Sequence, residues 1–319
     1  MSDPRRIVIT GARGHVGGRL LRHLCSTSNE SIRPHFRNAV ELPPWASTCS
    51  PTFGDLRERS VRARALCNTD VVVHLATRGY SAARPPTFEE LADEHTLTYS
   101  VVREAVEQSV PKFVYVSSIH VYGTALTGEV TEHTQPRPDG EYGRARLQLE
   151  HDVMSLCRES QTSAVIIRMS NTFGVPAFDN PPTWDLLVHD LCRQAVLTNE
   201  LRLRTKGNAF RNLLALRDAV SVIAQVASRQ MPSGVYLLGG NTTRTLHDIA
   251  EEVRQNAQVL LQKEINLEAL TSETVNTRPF ALNSASLRSH GISIEDTFSR
   301  ELADLVRCAQ MAFGGNTSQ

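Results

Sequence analysis

The sequence predicts an α/β fold: a doubly wound parallel sheet with helices on both faces, and a smaller lobe toward the C-terminus. Three observations carry this. A β-branched run, Arg6-Ile7-Val8-Ile9-Thr10, ends in glycine punctuation and is followed by Val16 to Leu24, with apolar residues at helical spacing. Two later runs, Asp70-Val71-Val72-Val73-His74-Leu75-Ala76 and Lys112-Phe113-Val114-Tyr115-Val116-Ser117-Ser118, are nearly continuous in apolar residues, as strands buried on both faces of a parallel sheet are. Helical stretches separate the strands, at lengths that suit right-handed βαβ crossovers.

Taken in order, Ile32 to Phe36 is a second, weaker strand before a Pro-containing stretch, Leu42 to Pro51, and Phe53-Gly54-Asp55-Leu56 has the form of a strand end and turn. Ser60 to Cys67 is expected to be helical. A polar, Pro-rich loop from Thr77 to Thr87 leads into a helix over Glu89 to Ser109, and a helix over Tyr142 to Ser160 leads into the strand Ala164 to Arg168. This alternation assigns residues 1–175 to the large sheet domain. Beyond Asn171 the pattern changes: Pro176, Pro181 and Pro182 mark a loop, and Trp184 to Val196, Ala219 to Ala227 and Leu246 to Leu261 have helical periodicity. Val235 to Gly240 reads as a last sheet strand. Residues 176–319 are therefore expected to form mainly the smaller lobe, with 210–240 returning to the large sheet, and the tail from Gly314 to Gln319 to fray.

A chain of 319 residues suits one large domain with a smaller companion. Lys plus Arg and Asp plus Glu balance at 34 each, so no net field draws the chain to nucleic acid or to an acidic membrane. No apolar run approaches the roughly 20 residues of a membrane span, and Met1 to Arg6 is too short and polar for a signal peptide, so a soluble, cytoplasmic protein is expected. The six cysteines are scattered with no Cys-x-x-Cys pair, which suggests reduced thiols with neither a metal site nor a disulfide framework.

Thr10-Gly11-Ala12-Arg13-Gly14-His15-Val16-Gly17 places glycines at every third position, directly after a strand and opening a helix. Glycine permits the tight turn and lets the backbone approach a pyrophosphate, which then meets the positive end of the helix dipole. Taken alone, the segment is a weak signal, with an ordinary strand-to-helix turn as the alternative.

The motifs that follow in order give it company. The glycine spacing, Gly54-Asp55-Leu56, His74-Leu75-Ala76-Thr77, the run Val116 to Gly123 and Tyr142-Gly143-Arg144-Ala145-Arg146 together resemble the short-chain dehydrogenase/reductase family, specifically its extended, nucleotide-sugar epimerase/dehydratase branch. The resemblance implies a Rossmann domain that binds a nicotinamide dinucleotide on Gly11, Arg13, Gly14, His15, Val16 and Gly17. It also implies that Asp55, beside Leu56, accepts from the adenine amino group and that Leu75, Ala76 and Thr77 underlie the ribose and nicotinamide. Ser118 and Tyr142 correspond to the catalytic pair, and Tyr142 also meets the dinucleotide. The family's lysine is Arg146 here, four residues after Tyr142 on the same helical face, where its charge stabilises a tyrosinate and its forked head can hold a ribose hydroxyl. A guanidinium nevertheless serves poorly as a link in a proton relay. His95 is a second departure, falling where relatives often carry Asn; it either alters a bound water chain or is simply a tolerated polar residue.

For the choice of dinucleotide, NAD sites place an acid at the end of the second strand, whereas this strand ends in Phe36-Arg37, with Arg13 as a further cation. Both point to NADP(H). If both are merely solvated surface residues, NAD(H) remains the alternative. Downstream, Arg168 to Gly174 and Phe210 to Ala219 resemble the segments at which extended enzymes meet a nucleotide sugar, with Asn171 touching the substrate and Arg211 gripping its diphosphate; Asn212 and Leu216 depart from the pattern, and a structural Arg211 fits as well.

The resemblance implies a ketoreductase acting on a nucleotide-activated deoxysugar, with Tyr142 as proton donor and Ser118 holding the carbonyl oxygen. A nucleotide-sugar 4-epimerase uses the same groups, and a catalytically degenerate dinucleotide-binding scaffold is the third reading. Ser118-Ile119-His120 lacks the Thr-Asp-Glu of sugar 4,6-dehydratases, and neither Ile119 nor the loop Phe178-Asp179-Asn180 supplies the Cys and His of relatives that epimerise at C3 and C5. A homodimer through the helices near Glu89 to Ser109 and Tyr142 to Ser160 is the expected assembly, by analogy.

Overall fold

The computed structural model describes residues 4–77, 85–178, 183–203, 207–269 and 278–316. Residues 78–84 of the expected Pro-rich loop, Asp179, Asn180, Pro181, Pro182 and the last three residues of the tail lie outside the described residues.

The first half alternates β1 (Arg6–Thr10), α1 (His15–Thr27), β2 (Ser31–Phe36), β3 (Thr52–Phe53), α2 (Arg59–Leu66), β4 (Val71–His74), α3 (Phe88–Glu107), β5 (Lys112–Ser118), β6 (Gly128–Val130), α4 (Glu141–Arg158) and β7 (Ser163–Met169). The second half carries β8 (Asn171–Phe173), α5 (Leu187–Thr198), β9 (Glu200–Leu203), β10 (Phe210–Ala215), α6 (Leu216–Ser228), β11 (Gly234–Leu238), β12 (Thr243–Thr245), α7 (Leu246–Leu261), β13 (Asn266–Ala269), β14 (Phe280–Leu282), α8 (Ala285–Ser289) and α9 (Phe298–Phe313).

Seven strands form one sheet in the order β11-β7-β5-β4-β1-β2-β3, every pair parallel. The chain winds outward from β1 in one direction and from β4 in the other, so the two central strands flank a topological switch point, and a crevice opens at their carboxyl ends. Successive residues of a strand face opposite sides. Ile7 and Ile9 accordingly pack with Leu20, Leu21 and Ile223 of α1 and α6, while Val8 packs with Val101 and Val153 of α3 and α4.

Within 210–240, only part returns to this sheet. β11 is its edge strand and α6 packs on α1, but β10 pairs instead with β8 and β12 in a separate three-stranded sheet. Asn212, off the family pattern, explains the joint: its amide binds both backbone groups of Gly240, accepting from N at 2.8 Å and donating to O at 2.9 Å. α5 begins at Leu187 rather than Trp184, because Trp184 sits in the preceding turn with its ring against His189 and Phe313. α9 was not foreseen, although its buried stripe Phe298, Leu302, Leu305, Val306 and Ala309 has helical spacing; it completes the lobe's core against α5 and α7. The expected scatter of cysteines also needs qualification, since Cys25 and Cys49 are free thiols whose Sγ atoms lie 3.2 Å apart. No helix among the described residues is long and apolar enough to cross a membrane.

Candidate active site

β1 delivers the chain into the crevice at Gly11, whose φ of +69° favours glycine and where a Cβ would stand 2.4 Å from the Leu75 carbonyl oxygen. Gly14 then caps α1 without a side chain, leaving the first-turn N–H groups open to an anion. Beneath this turn a buried network ties β1, β4 and α3 together: Thr10 Oγ1 lies 2.8 Å from His74 Nδ1, and His74 Nε2 lies 3.1 Å from Thr98 Oγ1. Burial, with the Arg146 charge adding to it, presses His74 down to about 3, so the ring is neutral.

A cavity of about 300 Å³ opens above the turn. Gly11, Arg13 and Gly14 line one side, Phe36 and Arg37 the end of β2, and Asp55, Leu56 and Arg57 the far wall, with Leu75, Ala76 and Thr77 below. A glycine cradle that a Cβ would fill, open helix N–H groups and an acid at the far wall fit a dinucleotide. Arg57, passed over in the sequence, holds that acid: its Nη2 lies 2.6 Å from Asp55 Oδ2, and this bonding pushes the Asp55 carboxyl down to about 2. Arg57 also reaches Asp93 at 3.6 Å, joining the far wall to α3. Arg13 and Arg37 are exposed on the cavity wall and make no hydrogen bond or ion pair among the described residues. Val16 packs into the core behind the turn, whereas both ring nitrogens of His15 are buried and unbonded, and the ring meets His189 edge-on at 5.3 Å.

Ser118 ends β5 and Tyr142 lies in the first turn of α4; neither lines the cavity, and a buried clamp ties their two elements together. Glu150 of α4 accepts from Ser117 Oγ at 2.5 Å and from Arg168 Nη2 of β7 at 2.6 Å, fixing the strand ends against the helix. Arg146 lies beneath Tyr142, its guanidinium carbon 4.9 Å from the ring centroid. It is not among the residues that line the cavity. Its Nη1 donates to Tyr115 Oη at 2.9 Å and its Nη2 pairs with Glu94 Oε1 at 2.7 Å, with both side chains of the ion pair at least 95% buried (3% and 5% exposed). Burial opposes that charge, but the oxygens of Tyr115, Tyr142 and Glu94 outweigh it and raise Arg146 well above its ordinary value, so it remains a cation.

Glu94, unlike its neighbour His95, lines the cavity. The sequence reading singled out His95, but the structure turns it to Asp152 of α4, Nε2 to Oδ2 2.7 Å, one residue out of step with the site. A charged residue on a helix face expected to be buried was the available signal for Glu94. His120 is the other omission. Its ring meets Tyr142 edge-on at 5.8 Å, and Asn171, Arg211 and Asp139 are the groups close enough to act on its charge. Asn171 is thus brought to the site on β8. Arg211, on β10, is exposed, and its Nη1 turns back to the Phe210 carbonyl oxygen at 2.8 Å.

A profile described as the NAD dependent epimerase/dehydratase family matches residues 7–239. Among curated proteins, the UDP-glucose 4-epimerase of Vibrio cholerae is 28% identical over 54% of this chain and 53% of its own. The dTDP-D-glucose 4,6-dehydratase of Mus musculus is 27% identical over 65% of this chain and 56% of its own. The chain thus spans little more than half the length of these relatives. Among solved structures, MoeE5 in complex with UDP-glucuronic acid and NAD superposes with a TM-score of 0.80 at 20% identity, covering 96% of this chain and 99% of that one, a likeness of fold.

Proposed function

The chain belongs to the NAD-dependent epimerase/dehydratase family, and from that premise we propose that it is an NADP(H)-dependent ketoreductase acting on a keto group of a nucleotide-linked sugar. The observation that carries the reading is the pair Arg13 and Arg37 on the cavity wall, with no acid where β2 ends. Two guanidinium forks suit a ribose 2′-phosphate, whereas a carboxylate there would repel it. Residues 1–175 would hold the dinucleotide and 176–319 mainly the sugar nucleotide, with Asn171 and Arg211 toward the substrate. When bound, the dinucleotide supplies the hydride. Ser118 donates to the carbonyl oxygen and holds it, and Tyr142 gives that oxygen its proton. Arg146 supports the developing tyrosinate by charge alone.

Incubation with NADPH and a panel of nucleotide-linked keto sugars tests this. Stoichiometric loss of NADPH supports the reductase, and no loss across the panel counts against it.

The 4-epimerase reading stands second, favoured by the similarity to the Vibrio cholerae enzyme. It predicts sugar conversion with no net change in dinucleotide. For assembly, the face formed by α3 and α4, where Phe88 is 82% and Tyr99 38% exposed, is the surface we assign to a homodimer.

A further inference from the structure

If Tyr142 exchanges a proton with substrate, as in the function proposed above, that proton must be replaced at every turnover. In a site with lysine below the tyrosine, an ammonium can give up a proton and regain it. Arg146 cannot: it is a guanidinium, buried with Glu94 and bonded to Tyr115, and its environment strengthens its hold on its protons. A second titratable group beside Tyr142 could replace that proton.

His120 meets the requirement. Its ring stands edge-on to Tyr142 with centroids 5.8 Å apart, in direct ring contact. The backbone fixes it there, since His120 N donates to Ser118 Oγ at 3.3 Å and a Cβ on Gly143 of α4 would stand 2.4 Å from the His120 carbonyl oxygen. No larger residue at 143 would let α4 approach so closely. The ring is half-buried, which leaves it a path to solvent. The groups that face it are Tyr142 from α4, Asn171 from β8, Arg211 from β10 and Asp139 from the segment before α4. Burial lowers its pKa, Asn171 opposes that, and Arg211 and Asp139 pull in opposite directions, so near neutrality the ring is uncharged, with one nitrogen to donate and one to accept.

We propose that His120 is the proton relay of this site, taking the part that Arg146 cannot. In the oxidising direction the substrate O–H bond breaks and its proton forms the Tyr142 hydroxyl. That hydroxyl then passes a proton to the free lone pair of the His120 ring, and the imidazolium returns it to water. In the reducing direction each transfer runs backward, so one proton enters from water for every hydroxyl made. In this relay His120 acts through Tyr142.

The test uses the full chain with isotopically labelled histidine, followed by NMR from acid to alkaline pH, with His120→Gln to assign the resonance. The His120 ring is expected to titrate below its ordinary value of about 6.5, and its midpoint to shift by roughly half a pH unit or more in Tyr142→Phe. An unshifted midpoint, or a ring that never titrates, overturns the relay without any knowledge of the substrate. Turnover with UDP-glucose and NADP⁺ is the second arm. His120→Gln is expected to lose the limb of the pH profile that wild type shows and to keep its dinucleotide KM, and added imidazole to restore His120→Ala. An intact pH limb in His120→Gln also overturns the relay. Wild-type inactivity on UDP-glucose alongside a shifted NMR midpoint would instead fault the substrate reading alone.

Discussion

Glu94 Oε1 lies 2.7 Å from Arg146 Nη2, and together the two side chains connect the cavity wall, where Glu94 stands, to the ring of Tyr142 over Arg146. Removing one partner leaves the other charge buried without its counterion, which costs about 3–5 kcal/mol. Glu94→Gln is therefore expected to lower the midpoint of urea unfolding sharply. Glu94→Leu combined with Arg146→Met should recover much of the loss, because no lone charge remains. A double variant no more stable than the single one would show that the pair is not the unit of stabilisation.

Tyr142→Phe keeps the ring over Arg146 and removes the hydroxyl. Turnover should fall by about 10²–10⁴-fold, the usual share of a positioned acid or base, while calorimetry finds dinucleotide affinity unchanged. A variant with full activity would leave only the scaffold reading.

Gly11→Ala forces a Cβ to within 2.4 Å of the Leu75 carbonyl oxygen at a positive φ. The turn has to move, and dinucleotide binding should be lost in a protein that still shows a cooperative thermal transition. Undiminished binding would mean that this turn is not the pyrophosphate cradle.

The buried histidines set an acid limit. Burial holds His74 at about 3 and His189 at about 4, both below the 6.5 of a free imidazole. As pH falls from 6.5 toward those values, the unfolded chain binds protons that the native chain refuses, so stability is present above 6.5 and drains away below it. Asp55, held at about 2, begins to contribute its own loss only below the ordinary carboxyl value of 3.8. Urea midpoints should accordingly decline between about pH 6.5 and pH 4, and decline less steeply in His74→Asn. An equal slope in that variant would contradict the assignment.

Much of the sheet domain was legible because its signals are local. The apolar runs at Val71 to His74 and Lys112 to Ser118 need burial on both faces, and the turn at Gly11 needs glycine, whatever the rest of the chain does. The lobe was harder to read. β10 carries Arg211 and Asn212 at its start, and the Asn212 to Gly240 pairing, a contact across 28 residues, ties it away from the large sheet. In the site, helical spacing put Tyr142 and Arg146 on one face, but it could not show that Arg146 would turn to Glu94 and Tyr115. The same limit hid the one-residue difference between His95 and Glu94. His120 was passed over because its partners Tyr142 and Asn171 come from separate elements that only the fold brings together.

The most direct test of the central claim is calorimetric titration of the purified protein with NADPH and, separately, with NADH, alongside Arg37→Ala. The account predicts tighter NADPH binding that Arg37→Ala weakens by about 10-fold or more, the worth of a charge-assisted contact, while NADH binding stays the same. Equal or tighter binding of NADH, unmoved by Arg37→Ala, would contradict it and bring the epimerase reading forward.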